Sequence, residues 1–567
     1  MRLHTRFSGN CGLPAMVAIT AVLASGCSQD IGDHGLNPVA AESSLEIATP
    51  VAASFNSRSE IHVSGQFESI GSLRMNGEAV ALQNHGNFGF DTEIITGMNF
   101  FEFTAAGLDG VDYLERRTIL NGRYLDANDT LQESVGVFLG EEGLSSLGGA
   151  AADLIDADYL TDYMAAMNPV YTDSVQIDWA IIELGFYIDQ ITFDSADVKI
   201  IPSNDMLQIE VDLNNTFVDG RVLADLYGLG LIDDDFDFDL SATTSRLFFD
   251  VSPSLVNGEI TIEPAGGHVQ FDGFAYDIGG LSDFVEAFVF VEEIRSLVED
   301  ALYSEIEAVV VPLVEEAISG FELSTEIEVL DTTVEVDGVI SSLDVTKEGL
   351  AIHMDVDLDL PRQRTIENGF LASSEAAPDF DLSSAAEAIF TDNLLNMALY
   401  RLWEAGAFDM EVSTTDDTLD PTVATLLESK DVTMNMRPAL PPVILTRGNT
   451  LMMEFGEVEV EVETPGGALG DNAVWVVAGS AQVEANVVDG VLNLEIGDVE
   501  TTVVVRDNDW EMDVVSATSL VEGVMPFDMV IERFGSVALP LPTIPGIILD
   551  GTSLDRTGDD SQSAFRL

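Results

Sequence analysis

Lysine is almost missing from this chain: Lys199, Lys347 and Lys430 are the only three in 567 residues. With arginine included, 22 basic residues stand against 100 acidic ones, a formal charge of −78. A field of that sign repels nucleic acid and anionic membrane surfaces and argues against phosphate binding by bulk charge. An acidic, lysine-poor surface suits salty water, where mutual repulsion is screened; a calcium-loaded surface is the sharper reading. Cysteine is as scarce. Only Cys11 and Cys27 occur, so the chain beyond residue 27 carries no disulfide. Six histidines are scattered, and no Gly-x-Ser-x-Gly elbow, phosphate loop or His-x-x-x-His pair occurs. Acyl transfer needs a base beside its nucleophile, and no such pair can be nominated. The chain therefore reads as a non-enzyme with no cofactor. Beyond the N-terminus no run of about 20 uncharged apolar residues exists, so the rest reads as soluble.

What is present begins with an address. Arg2 and Arg6 form a positive n-region, and "GLPAMVAITAVLAS" (12–25) is an apolar stretch too short to span a bilayer. It ends in "LASGC", which resembles a bacterial lipobox. By that resemblance the signal is 1–26 and Cys27 becomes a diacylated N-terminus. Ser28 follows, which by analogy favours the outer membrane. The plainer alternative is an ordinary signal cut near Ala24, with Cys27 an idle thiol. Residues 27–55 read as a Gly/Pro/Ser/Ala tether that clears the membrane.

Short strand-like runs at about ten-residue spacing occupy 56–124, the mark of a small β-sandwich. Asn76–Gly77 is a hairpin signal inside it. The order "V-x-G … NG-x-x-V … G-x-F … G-x-N" resembles bacterial Ig-like accessory domains, which serve as spacers or adhesive modules. From 131 the texture changes. The span 134–167 reads as helix, with Leu144, Leu147, Ala151, Leu154 and Ile155 on one face. In "MLQIEVDLN", Leu207, Ile209, Val211 and Leu213 alternate with polar residues, a half-buried strand. The span 281–320 reads as a long helix with Phe284, Phe288 and Val291 on its apolar stripe, a start at Ser282, a kink at Pro312 and a stop at Gly320. A second cycle repeats the theme. A helix over 385–405 is expected from a capping box of Ser384 and Glu387, with Gly406 ending it. Long strands and a last helix at 517–534 follow.

Three stretches carry a family resemblance. They are "DFDLSSAAEAIFTDNLLNMALYRLWEAGAFDMEV", "ALPPVILTRGNTLMMEFGEVEVEVE" and "ALPLPTIPGIILDGTSL". They resemble the second domain of the lipid-binding family of bactericidal/permeability-increasing protein, lipopolysaccharide-binding protein and cholesteryl ester transfer protein. The resemblance spans roughly 131–555 and implies an α+β chain. Behind the Ig-like β-sandwich it places two tandem domains, 125–365 and 366–567, each a long helix wrapped in a strongly curved antiparallel sheet. Acyl chains would lie between helix and sheet, against Leu144, Leu147, Leu154, Phe284, Phe288, Val291, Phe390, Leu394, Met397, Ala398 and Leu402. The bland reading of those positions is a dry core, since apolar stripes mostly are. The family's first-domain disulfide and its basic tip have no counterpart here, so lipopolysaccharide neutralisation is not carried over. The expected partner is a phospholipid or fatty acid. The alternative is a structural or adhesive surface lipoprotein of the same fold. The acidic runs 233–240 and 507–513 lack the central glycine and distal glutamate of a calcium loop and read as solvated edges.

Overall fold

The computed structural model describes residues 43–566 except 228–232, most of 279–324, 373–378, 523–532, 535–537, 541–554, 558–563 and breaks of one to three residues elsewhere. The expected signal, Cys27 and most of the tether lie outside the described residues. Strand Ser44–Thr49 falls inside the expected tether and belongs to the N-terminal unit. That unit has a three-stranded and a five-stranded sheet around Val63, Leu73, Phe103 and Ile119. Asn76 and Gly77 both take positive φ, 50° and 82°, and join Ile70–Met75 to Glu78–Ala79 as a tight hairpin.

Among the described residues three seven-stranded sheets follow, with a two-stranded one that pairs Arg123–Leu125 with Phe370–Ala372, and the molecule is mostly β. The first curled sheet is built on Met206–Tyr227 and Asp233–Val256, strands of 22 and 24 residues. Ala180–Thr192 and Ser195–Ser203 pair in succession along one side of Met206–Tyr227. Glu259–Asp272 and Ala275–Ile278 do the same along Asp233–Val256. Register shifts interrupt these ladders after Ile188 and after Asp250; such bulges increase local twist and bend the sheet. The second curled sheet is built on Thr450–Glu463, Asn472–Val488 and Val491–Asn508, again with shifts in each ladder.

A central sheet joins them. Its order is Thr325–Val329, Thr332–Val345, Gly349–Asp359, Leu131–Gly140, Ala386–Thr391, Ala564–Arg566, Asp555–Thr557. Two expectations are corrected here. The expected helix over 134–167 starts later: Leu131–Gly140 is a strand, followed by helices Glu141–Ala152 and Ala157–Ala166. Likewise the capping box at Ser384 and Glu387 is not one. Ala386–Thr391 is a strand paired with Leu131–Gly140, and the helix runs Asp392–Glu404 with Thr391 at its N-cap. The Glu387 carboxylate instead accepts from the Asp381 amide at 2.7 Å. The cause is the same in both places. These strands are covered on both faces, Val135, Val137 and Leu139 on one and Phe138 on the other. They therefore show no alternation and imitate a buried helix. Gly406 does end the later helix, at a φ of 73°.

Nine positions between 299 and 318 are described; all are helical, and Val311, Val314 and Ile318 among them are buried. The remainder of the expected 281–320 helix, with Phe284, Phe288, Val291, Ser282 and Gly320, lies outside the described residues, as does Leu154. Of the expected last helix, Val514–Val521 is described, starting three residues earlier than expected and capped by Asp513, which accepts from the Ser516 amide at 3.0 Å.

Candidate functional site

Helix Asp392–Glu404 is enclosed on every side. All 13 residues are buried, including Asp392, Asn393, Asn396, Arg401 and Glu404. A helix greasy over most of its circumference can be stable only when surrounded. Here the central sheet lies on one side and strand Val443–Arg447 on another. Two of its polar side chains, Asn396 and Trp403, have directed backbone partners. Asn396 reads the backbone of Ile444 twice, donating to its carbonyl at 2.9 Å and accepting from its amide at 2.7 Å. The Trp403 indole donates to the Pro438 carbonyl at 2.8 Å, and Arg364 lies over the Trp403 ring at 5.1 Å. Burial, then the Glu404 carboxylate, pushes the Tyr400 hydroxyl up to about 12.

The first curled sheet presents a different surface. Its inner face carries Leu207, Ile209, Val211 and Leu213 on one strand and Leu247, Phe249 and Val251 on the next. The helical segment meets this face through Tyr303, stacked on Phe249 at 5.2 Å. Burial, then the Glu307 carboxylate, raises the Tyr303 hydroxyl. Helix Glu141–Ala152 covers Ser195–Ser203, and helix Ala157–Ala166 covers Ala180–Thr192. The inner face continues beyond this cover. Tyr276 stands directly across from buried Leu240, hence on the same face, yet is 38% exposed. Phe271, Phe274 and Tyr276 run to that edge with ring centroids 5.4 and 6.3 Å apart.

The outer face of the same sheet is acidic. Asp277, Asp239 and Asp219 stand opposite one another across three strands. Burial, then the Asp239, Asp189 and Asp237 carboxylates, raises Asp219. Among the described residues, three basic side chains answer carboxylates elsewhere on the sheet: Arg246 bonds Asp212 at 2.8 Å, Arg221 bonds Asp189 at 2.8 Å and Lys199 reaches Glu210 at 3.4 Å. Asp507–Asp513 divides into structural roles; Asp509 accepts from the Asn472 amide and Asp513 caps a helix.

The sequence-expected positions therefore separate. Leu394, Met397, Ala398 and Leu402 gather on the enclosed helix, each no more than 4% exposed. Phe390 belongs not to that helix but to the strand before it, opposite Val135. Leu144 and Leu147 are fully buried, in the core that the first curled sheet shares with the central sheet. The aromatic edge at Phe271, Phe274 and Tyr276 was not singled out from sequence. Its signal was the run of aromatics in "FDGFAY", where a solvated strand end needs none.

Sequence reasoning also missed a docking. The N-terminal unit is fixed to the outer face of the second curled sheet, not held away as a spacer. Between Phe455 and Val458 the ladder slips, and Glu457 takes a φ of 50°. That bulge aims the Glu457 carboxylate at the N-terminal unit, where it accepts from the Thr118 amide at 2.7 Å. Glu454 accepts from the Met98 amide at 2.8 Å, and Arg447 donates to the Thr96 carbonyl at 2.7 Å. Gly456 is needed there, because a Cβ would stand 2.4 Å from the Thr118 side chain. Met98, Leu120, Leu371, Leu440, Val443 and Leu445 seal the joint. The readable signal was "VWVVA" (474–478) and "VVV" (503–505), apolar on both faces in strands that alternate elsewhere.

No protein-family model and no curated protein matches the chain. Among solved structures, a crystal structure of lipopolysaccharide binding protein is similar over 76% of this chain and 97% of its own, at 13% identity and a TM-score of 0.43. That likeness is too distant to carry an argument about function. The architecture rests on the strands themselves: two curled sheets joined through a central one, with an N-terminal β unit docked on the second.

Proposed function

We propose that this protein is a non-enzymatic lipid-binding or lipid-transfer lipoprotein, anchored through Cys27 at the outer membrane. Acyl chains of a phospholipid or fatty acid lie between the inner face of the first curled sheet and its covering helix. The observation that supports this is the aromatic edge. An apolar face that is closed over most of its length runs out to Phe271, Phe274 and a 38% exposed Tyr276. Apolar surface left at the rim of a concave sheet favours an apolar guest, because burying it is worth roughly 25 cal/mol per Å². Aromatic side chains with a polar tip suit an entrance that is greasy on one side and wet on the other.

The enclosed helix Asp392–Glu404 favours a second reading for the other unit, a structural core that holds shape and binds nothing. Taken over the whole chain, that reading makes the protein a structural or adhesive surface lipoprotein. Organic extraction of the purified full-length protein, followed by mass spectrometry, decides between the two. Stoichiometric phospholipid or fatty acid is the expected result; a clean extract from folded protein supports the structural role. Replacing Cys27 by serine tests the anchor. The variant should leave the membrane fraction and take up no labelled fatty acid, and retention of either overturns it.

A further inference from the structure

The docking of the N-terminal unit creates a cavity that neither unit has alone. It measures about 240 Å³ and lies between the Phe100/Thr118 face of the N-terminal unit and the Ala478/Thr502 face of the second curled sheet. Its walls are pinned from both sides. Glu457 holds the Thr118 amide, and Arg116 Nη1 donates to the Val503 carbonyl at 2.7 Å. The site is therefore preformed, as most small-molecule sites are.

Three features define what it would take. The first is charge. Both arginines of the lining are already paired, Arg116 with Glu102 and Arg117 with Glu115 beside it, and Glu500 completes the charged groups of the wall. An anion gains no unpaired cation there and must also approach through the field of a −78 chain. A cation finds Glu102 already bonded to Arg116 and Glu500 exposed to solvent that screens it. The complementary ligand is neutral. The second is the polar end. Arg116 Nε and Nη2 both bond Glu102 Oε2, at 2.8 and 2.6 Å. With both bonds on Oε2, Arg116 keeps a further Nη2 N–H and Glu102 keeps Oε1, a donor and an acceptor on bonded neighbours. A hydroxyl both donates and accepts, so vicinal hydroxyls satisfy the pair without bringing charge. Ser480 and Glu500, paired across neighbouring strands, offer the same combination at another part of the wall. The third is Phe100, a large aromatic 40% exposed on the lining. Its electron-rich face attracts polarised C–H groups.

A flat molecule with hydroxyls round its rim and C–H groups on its faces meets all three conditions. We propose that this junction is a binding site for a neutral pyranose, presented by a glycan or oligosaccharide. Phe100 stacks under the ring, and Arg116 with Glu102 reads a pair of adjacent hydroxyls. The site is separate from the first curled sheet and does not depend on lipid being bound there.

Saturation-transfer NMR on the full-length protein tests it, with a panel of methyl hexopyranosides and neutral disaccharides as probes. Sialic acid serves as the anionic control and decanol as the alkyl control. Binding of at least one neutral sugar is expected, with neither control competing. Phe100→Ala, at an exposed position, should weaken it about tenfold. Thr502→Trp, also exposed, should block the cavity and abolish binding while the melting midpoint stays near that of the parent. Absence of binding by every neutral sugar overturns the proposal. So does binding that survives both variants, a preference for sialic acid, or displacement by decanol, which would make the cavity an alkyl site.

Discussion

The two curled sheets use the same device, a helix against a concave antiparallel sheet, and use it differently. In the second unit the helix Asp392–Glu404 is buried through all 13 residues and tied by directed hydrogen bonds from Asn396 and Trp403. The outer face of that sheet is covered as well, by the N-terminal unit. In the first unit the described helical positions meet the sheet through apolar and aromatic contact, as at Tyr303 on Phe249. Its outer face is wet and acidic, and its inner face reaches an exposed aromatic edge. Directed hydrogen bonds fix one geometry, because losing a partner leaves a buried group unsatisfied. Dispersion and hydrophobic contact are non-directional and tolerate a change of guest. Under the proposed function, the second unit is the scaffold and the first holds the guest.

The largest effect should come from undoing the cover on the second unit. Glu457 is 1% exposed at its side chain and serves both Thr118 and Arg506. Glu457→Ala should cost about 1.5–3 kcal/mol, the range for losing a hydrogen bond to a charged group and leaving the buried Thr118 amide unpaired, since the half-exposed Arg506 keeps water and Glu459. Denaturant midpoints would measure it, and limited proteolysis should show the N-terminal unit coming loose. An unchanged midpoint would mean that the docking contributes nothing to stability.

Ala398→Trp probes the enclosed helix. Ala398 is 3% exposed, so an indole there must overpack at about 1–3 kcal/mol or more. Lipid content by mass spectrometry should not change. Lipid loss without destabilisation would break the comparison, placing the guest in the second unit.

Tyr276→Glu is the counterpart in the first unit. At a 38% exposed position the folding stability should move by no more than about 0.5 kcal/mol. Uptake of a fluorescent fatty acid should fall several-fold, because a carboxylate now sits where an acyl chain enters. Unchanged uptake would remove the edge as an entrance.

The smallest effect belongs to the acidic outer face. Asp219 is raised by burial and by the Asp239, Asp189 and Asp237 carboxylates. A carboxyl whose folded pKa lies above its unfolded one favours the fold when protonated, and that advantage is lost as pH rises through the folded value. At neutral pH the charge is a cost. Asp219→Asn should therefore stabilise by about 0.2–1 kcal/mol at neutral pH and low salt. The gain should shrink in high salt and disappear below the carboxylate range. A gain that persists in acid would point to a cause other than charge.

Much of this was legible in the sequence, and the failures share one cause. Alternation in "MLQIEVDLN" identified a strand with one wet face, because Gln208, Glu210 and Asp212 do point outward among partial exposures. Asn76–Gly77 identified a hairpin because few residues other than glycine and asparagine take positive φ cheaply. Gly406 marked a helix end for the same reason. Where a segment is covered on both faces, the pattern vanishes. Residues 134–140 and 386–391 then looked helical, and 474–478 looked like an ordinary strand although another unit lies on it.

While the α+β balance it suggested gave way to a mostly β fold, the sequence by itself determined the acidic composition, the periodicity of the half-buried strands and the points where glycine stops or turns the chain. All of these are local: each depends on a residue and its near neighbours. Only the tertiary structure decided which apolar faces are closed and which run out to solvent, and that the N-terminal unit is docked. It also decided that Arg116, Glu102 and Phe100 share a cavity with Ser480 and Glu500. Those are pairings between segments hundreds of positions apart. Nothing in one strand records what lies across from it, because the energy that selects the partner comes from the area both bury together.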